Sequence, residues 1–195
     1  MADDRTVDDI AKATLRGRIR AARAGLSSVQ REAAAEAVAT QASALPELEG
    51  ASVVLGYHAL PEELDPAPLL QMMRARGARI ALPRVADRGK LTLHWVDEDG
   101  VLTPGAFGIL EPSAAAPGPR LDHVDVVIVP GVAFDARCTR LGLGGGFYDR
   151  LLDGLPSAAR AVALAYDVQM VEIVPACELD RAVHVVVTPT RVHRR

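Results

Sequence analysis

The chain has 195 residues, a length suited to one globular domain over residues 1–195 with a sizeable core. Hydrophobic residues make up 49% and aromatics only 4%, so the core has to be assembled from Ala, Val, Leu and Ile, and the net charge of −3 gives no electrostatic case for a nucleic-acid partner. Cys138 and Cys177 lack the spacing of a metal or redox motif, no apolar leader follows Met1-Ala2-Asp3-Asp4, and no run nears the ~18 apolar residues of a membrane span. A cytoplasmic protein without membrane partners is expected, acting as a monomer on small molecules.

In chain order, the pattern predicts a first helix over Asp8 to Arg23, with Thr6 as its cap and Asp9 completing a capping box. At ~100° per residue, Leu15, Ile19, Ala22 and Leu26 form its apolar stripe, and Lys12, Arg16, Arg20 and Arg23 form a basic row beside it. Such a row either reaches over a cleft or is simply solvated. A second helix follows Ser27, with Gln30 as capping-box partner, and runs towards Leu45. Ala51 to Tyr57 reads as a buried strand. Asp65 and Pro66 then open a third helix that Gly77 stops. Ala78 to Leu82 is a short strand ended by Pro83-Arg84, and Lys90 to Val96 is another.

Residues 97–122 are loop-rich, with one short strand expected at Phe107 to Leu110 and a variable surface patch at Ala114 to Pro117. The run Val124 to Val129, apolar but for Asp125, fits a central parallel strand covered on both faces. A helix from about Phe147, a strand at Ala161 to Ala165, a short helix near Gln169 and a strand at Val183 to Val187 complete the chain. Alternating strands and helices point to an α/β protein, a three-layer α/β/α arrangement with a mostly parallel central sheet. Ligands of such sheets bind beyond the carboxyl ends of the strands, where Tyr57, Pro83-Arg84 and the segment after Pro130 should converge.

The segment richest in chemistry is Arg140-Leu141-Gly142-Leu143-Gly144-Gly145-Gly146-Phe147-Tyr148-Asp149-Arg150. Glycines permit positive φ and close approach, and a loop leading into a helix offers unpaired N–H groups to a phosphate. The run matches neither the dinucleotide fingerprint, since Phe147 stands where a third glycine or alanine is needed, nor the P-loop, since no lysine follows. By itself it reads as a tight turn before a helix or as an anion cradle.

Together with Pro130-Gly131-Val132-Ala133-Phe134-Asp135, this run resembles the glycine-loop segment of the 5-formyltetrahydrofolate cyclo-ligase family, also called 5,10-methenyltetrahydrofolate synthetases. The resemblance implies ATP-dependent, Mg²⁺-assisted closure of 5-formyltetrahydrofolate. It implies ATP contacts from Lys12, Arg16, Arg84, Arg140, Leu141, Gly142, Leu143, Gly144, Gly145, Gly146, Phe147 and Tyr148. Folate contacts would come from His58, Glu63, Gly145, Gly146, Phe147 and Tyr148, with Arg140 and Tyr148 at the chemistry and Asp149 on the metal. Phe147 replaces a family tyrosine. The resemblance places His184 where the family carries an aspartate near the metal, and Pro189 where a glutamate is common; either Asp149, phosphate oxygens and water hold the metal alone, or Asp180 substitutes from nearby, or the activity is weakened. A binding module without turnover, and a different α/β enzyme sharing the anion loop, are the competing readings.

Overall fold

The computed structural model describes residues 2–86, 89–97 and 100–195; for residues 2–7 and 107 it describes the backbone alone. Helix α1 is Ala2–Ala24, α2 Ser28–Ser43, α3 Ala67–Ala75 and α4 Phe147–Asp153. The strands are β1 Val53–Leu55, β2 Arg79–Val85, β3 Leu91–Trp95, β4 Thr103–Pro104, β5 Leu110–Glu111, β6 Val126–Val129, β7 Ala133–Phe134, β8 Arg140–Leu141, β9 Arg160–Leu164, β10 Val185–Val187 and β11 Val192–Arg194. Among the described residues, seven strands form one sheet in the order β11-β10-β9-β6-β1-β2-β3. Its interior pairings are parallel, and only the outermost, β10 with β11 and β2 with β3, are antiparallel.

The period of two along these strands divides the core. Val54, Val126, Ile128, Val162 and Val185 face α2 and α3, which contribute Val38, Ala42, Leu69 and Met73. Leu55, Val127, Val129, Ala161, Ala163 and Val186 face the other layer, where Phe134, Cys138 and Leu151 of α4 cover them. Every residue of β6 is buried, as its apolar run demands of a strand covered on both sides. Helix α1 belongs to neither cluster. Its Leu15 and Ile19 pack on Val132, Ala133, Leu141 and Val174, that is, on the β7–β8 hairpin.

Several expectations are corrected. Helix α1 begins at Ala2, so Thr6 lies inside it rather than capping it, and the Thr6 side chain is outside the described residues. Its buried face runs through Lys12, Leu15, Ile19 and Arg23, while Ala22 is exposed. Strand β2 continues through Pro83-Arg84 to Val85. Its pairing with β1 ends at Ala81, so the missing Pro83 N–H faces no ladder partner there, and pairing with β3 carries the strand on. Residues Ala106–Gly108 form a 3₁₀ turn, and the short strand there is Leu110–Glu111, paired with Thr103–Pro104. The Ala114 to Pro117 patch is fastened to β3: Trp95 N–H donates to Pro117 O at 2.8 Å, and His94 Nδ1 meets Ala116 O at 2.6 Å.

The capping box of α2 is present as expected, with Gln30 N–H donating to Ser27 Oγ at 3.2 Å and Ser27 N–H to Gln30 Oε1 at 2.9 Å. Ser27→Ala should therefore lower stability by about 1 kcal/mol, seen as a lower urea midpoint at unchanged slope.

Candidate functional site

A cavity of about 430 Å³ opens at the carboxyl rim of the sheet, where Tyr57 follows β1, Val85 ends β2 and Pro130 follows β6. The rim expected from strand order is thus the rim that is hollow. One wall is apolar, built from Pro83, Val85, Leu91, Ile109 and Leu110. The opposite wall is the glycine loop, Gly142 to Gly146, followed by Phe147, Tyr148 and Asp149. His58, Leu60 and Glu63 line the mouth, and Arg20 lines it from α1.

Local chemistry explains why the loop stands where it does. The fully buried Asp135 carboxylate accepts N–H bonds from Arg137, Thr139 and Val174, at 3.0, 3.0 and 3.2 Å. It thereby shapes the β7–β8 turn, in which Cys138 takes a left-handed φ of 62°. Strand β8 then delivers the chain to a loop that needs positive φ at Gly144 (109°) and Gly146 (65°) before α4 can start. Two arginines hold the loop by its carbonyls: Arg16 Nε donates to Gly142 O at 2.9 Å, and Arg150 Nη2 to Gly145 O at 2.9 Å and Gly89 O at 2.7 Å. The N–H groups of Leu143 to Gly146 have no acceptor among the described residues. Carbonyls tied back and amides left free make a backbone surface for an anion. Helix α4, only seven residues long, adds little dipole of its own.

Arg140, on β8, is almost wholly buried. Its Nη2 donates to Asp149 Oδ1 at 2.6 Å and its Nη1 to Pro130 O at 3.4 Å, while Nε has no acceptor. Asp149 Oδ1 also accepts the Arg181 N–H at 3.1 Å, and its second oxygen has no hydrogen bond among the described residues. No group of three or more His, Cys, Asp or Glu that could hold a metal occurs among those residues. The donor set suits a hard cation held mainly by phosphate oxygens and water, with one carboxylate oxygen to spare.

Burial raises the Tyr148 hydroxyl, with the Glu63 carboxylate adding to it and Arg140 opposing, so the phenol stays protonated at neutral pH. Burial also raises Glu63, against the Leu60 N–H that it accepts at 3.0 Å and the charge of Arg23. The Glu63 loop is fastened from below. Tyr57 Oη donates to Leu64 O at 2.6 Å, and Tyr166 Oη to Glu63 O at 3.1 Å.

The structure brings most of the expected residues together. His58, Glu63, Arg140, Gly142 to Gly146, Phe147, Tyr148 and Asp149 line one cavity. Lys12 and Arg16 lie beside it without lining it: Lys12 Nζ donates to Asp180 Oδ2 at 2.5 Å, with Cys177 Sγ at 3.7 Å, and Arg16 grips the loop from outside. Burial pushes Asp180 up, but the Lys12 ammonium and the Cys177 N–H outweigh it and hold the carboxyl below its usual range. Leu141 is a core residue, buried against α1, and offers the cavity no side chain. Arg84 is turned away. Its Nη1 meets Glu111 Oε2 at 3.1 Å and donates to Pro112 O at 3.1 Å, and it is Glu111 that reaches the cavity.

His184 does not stand near Asp149. It precedes β10 at the amino-terminal end of that strand, away from the cavity, where its Nδ1 accepts the Ala161 N–H at 2.9 Å. Asp180 is engaged with Lys12. Pro83 was expected at the rim, but Val85, Leu91, Ile109, Leu110 and Arg20 escaped the sequence reading as site residues. Arg20 was visible as the next turn of the basic row after Arg16, whereas Ile109 and Leu110 were read only as part of a short strand, with no sign that it would face the cavity.

Compared along its whole length with known proteins, the chain matches one group. The family model described as the 5-formyltetrahydrofolate cyclo-ligase family matches residues 8–189. The chain belongs to that family. It is 33% identical over 178 residues to the 5-formyltetrahydrofolate cyclo-ligase of Escherichia coli (strain K12), covering 89% of this chain and 98% of that protein. It is 32% identical over 185 residues to the enzyme of the same name from Mycolicibacterium smegmatis, covering 92% and 94%. Among solved structures, the 5,10-methenyltetrahydrofolate synthetase of Aquifex aeolicus superposes with a TM-score of 0.82 at 34% identity, over 94% of this chain and 92% of that one. The synthetase of Mycoplasma pneumoniae shares the fold, with a TM-score of 0.73 at 19% identity over 91% and 98%. The cyclo-ligase family thus accounts for nearly the whole chain, and this member is an enzyme of the folate-ligase class.

Proposed function

We propose that this cyclo-ligase converts 5-formyltetrahydrofolate to 5,10-methenyltetrahydrofolate at the expense of ATP, releasing ADP and phosphate. The observation that carries this reading is the meeting of two unlike surfaces in one cavity: free loop amides beside buried arginine, and an apolar wall ending in a carboxylate. A polyanion suits the first, and a flat heterocycle with an N–H edge suits the second.

Phosphoryl transfer needs positioning and charge neutralisation more than a protein nucleophile. The amides of Leu143 to Gly146 would receive phosphate oxygens, with the Arg140 guanidinium below them and Lys12 and Arg16 on the adjoining helix. Asp149 would hold Mg²⁺ through its second oxygen, and the ion would neutralise phosphate charge. Glu63 would accept N–H bonds from the pterin edge while Tyr148 and Phe147 lie against the ring. The terminal phosphoryl group passes from ATP to the formyl oxygen. N10 then attacks the activated carbon and gives up its proton, and phosphate departs with that oxygen and takes up the proton as the ring closes. The apolar wall excludes water that would otherwise take the phosphoryl group.

The test is to mix the protein with ATP, Mg²⁺ and 5-formyltetrahydrofolate and follow the absorbance of the methenyl product. Folded protein giving no product with any of several divalent metals would refute the reading, and folate binding without turnover would favour a non-catalytic module. In the same assay Lys12→Ala should weaken ATP by about 1.5–3 kcal/mol, the worth of a charge-assisted hydrogen bond, and leave the folate KM nearly unchanged. An unaltered ATP dependence would point instead to an enzyme that shares only the anion loop.

A further inference from the structure

The basic row of α1 changes character turn by turn. Lys12 is tied to Asp180, Arg16 to the Gly142 carbonyl, and Arg23 is buried. Arg20 is the exposed member of the row. It has neither hydrogen bond nor ion pair among the described residues, yet it lines the glycine-loop cavity. A guanidinium is always charged and presents a planar fork of donors that matches a carboxylate or a phosphate. Held at a cavity mouth with no partner of its own chain, it is open to an anion from outside.

Its place follows from its neighbours. Arg16 touches the glycine loop, and Leu26, just after α1, packs on the core cluster that holds Leu64 and Tyr166. The helix therefore crosses from the glycine loop towards the Glu63 loop, with Arg20 one turn, about 6 Å, beyond Arg16. Arg20, Gly144 and Glu63 line one cavity.

Two tasks suit a cation there. One is to stabilise the transferring phosphoryl group, which calls for donors fixed in a site closed to water. The buried Arg140 meets that demand, and an exposed, unanchored guanidinium does not. The other is to catch a charged part of a ligand that stays in water. 5-Formyltetrahydrofolate has such a part: beyond its pterin and benzoyl ring it ends in a glutamate with two carboxylates. With the pterin edge at Glu63, that tail leaves by the mouth.

The mouth offers two ways out, and charge separates them. His58, Leu60 and Glu63 also line a second hollow of about 430 Å³ beside α2. Glu32, Glu36 and Asp65 line that hollow too, with Arg31 set against them. Its excess of carboxylates repels an anionic tail, whereas the way past Arg20 offers an unpaired cation.

We propose that Arg20 is a specificity-determining residue of the folate site, its free guanidinium at the cavity mouth taking the terminal glutamate of the substrate. This rests on the reading of 5-formyltetrahydrofolate as that substrate. Arg20 stays clear of the reacting atoms. A contact of equal strength in the ground and transition states lowers KM and leaves kcat alone.

The experiment measures initial rates of the full-length wild type and Arg20→Gln with ATP and Mg²⁺. The two substrates are 5-formyltetrahydrofolate and an analogue in which methylamine replaces the glutamate. Arg20→Gln should raise the folate KM about fivefold, the worth of a charge-assisted contact at a partly solvated site, with kcat and the ATP KM unchanged. Wild type should lose the same factor on the analogue, where the two proteins become equal. An equal loss by the variant on both substrates, an unaltered folate KM, or a raised ATP KM overturns the proposal. No turnover of either substrate by the wild type overturns the substrate reading itself, and this proposal with it; a failure of Arg20 alone leaves wild-type turnover intact.

Discussion

Replacing Asp149 with alanine is expected to cost about 3 kcal/mol of stability, whereas Arg140→Met should cost only about 1 kcal/mol, although the two residues share one ion pair. The asymmetry comes from where each partner stands. The Arg140 side chain is 3% exposed and that of Asp149 is 20% exposed. Removing the aspartate strands a guanidinium whose Nε already lacks an acceptor. Removing the arginine leaves a carboxylate that water reaches and that still accepts the Arg181 N–H, while methionine fills most of the space. Urea melts of both variants, at matched slope, measure the difference, and equal destabilisation would mean that the pair is not buried as described. Catalysis should not follow this ranking. Both variants should lose about 10²- to 10³-fold in turnover if the proposed roles hold, because Arg140 would then face the transferring phosphoryl group and Asp149 would hold the Mg²⁺ that neutralises it.

The second large effect lies outside the cavity. A Cβ on Gly118 would fall 1.7 Å from Leu93 O and 2.8 Å from His94 Cα, both backbone atoms of β3. Neither neighbour is a side chain that can swing away. Gly118→Ala must therefore lift the 113–118 segment off β3, breaking the Trp95 N–H bond to Pro117 and the His94 contact to Ala116. A cost of about 3 kcal/mol is expected, at the upper end of overpacking. For a chain of this length that lowers the melting temperature by about 6–12 °C. A melting temperature within a degree of wild type would show that this segment is not seated on the strand.

How much of this was legible in the sequence depends on whether the signal was local. The all-apolar Val126 to Val129 strand, the Ser27–Gln30 box and the Gly142 to Gly146 loop were readable because composition or spacing within a few residues decides each. Strand β11 was not, since Val192-His193-Arg194 carries two basic residues and its place is fixed by pairing with β10. Strand β2 was cut short at Pro83 because the rule against proline in strands supposes a neighbour on both sides, and β1 has ended there. Arg23 was read into the basic row, since a period of 3.6 gives the phase of a helix but not which face tertiary packing will close over.

The site divides the same way. The glycine loop and its flanking charges lie together in the chain and were found. The sequence could not tell that Arg84 would spend itself on Glu111 while Glu111 faced the cavity. Nor could it tell that His184 would lie at the amino-terminal end of β10, because position along a segment does not reveal which end of the sheet that segment reaches.

The docking of α1 has a consequence for the order of events during synthesis. Its buried Leu15 and Ile19 have partners at Val132, Ala133, Leu141 and Val174, and its Lys12 is joined to Asp180, 168 positions later. The helix leaves the ribosome before any of these partners and has nothing to settle on until the β7–β8 hairpin has formed, and its lysine has no counter-ion until Asp180 has emerged. A nascent chain would carry α1 as an undocked amphipathic segment throughout elongation. The cation pair beside the glycine loop would then be set in place only once Asp180 has emerged. The glycine-loop side of the cavity is thus completed later than the Glu63 loop, whose tyrosine support needs only residues up to Tyr166.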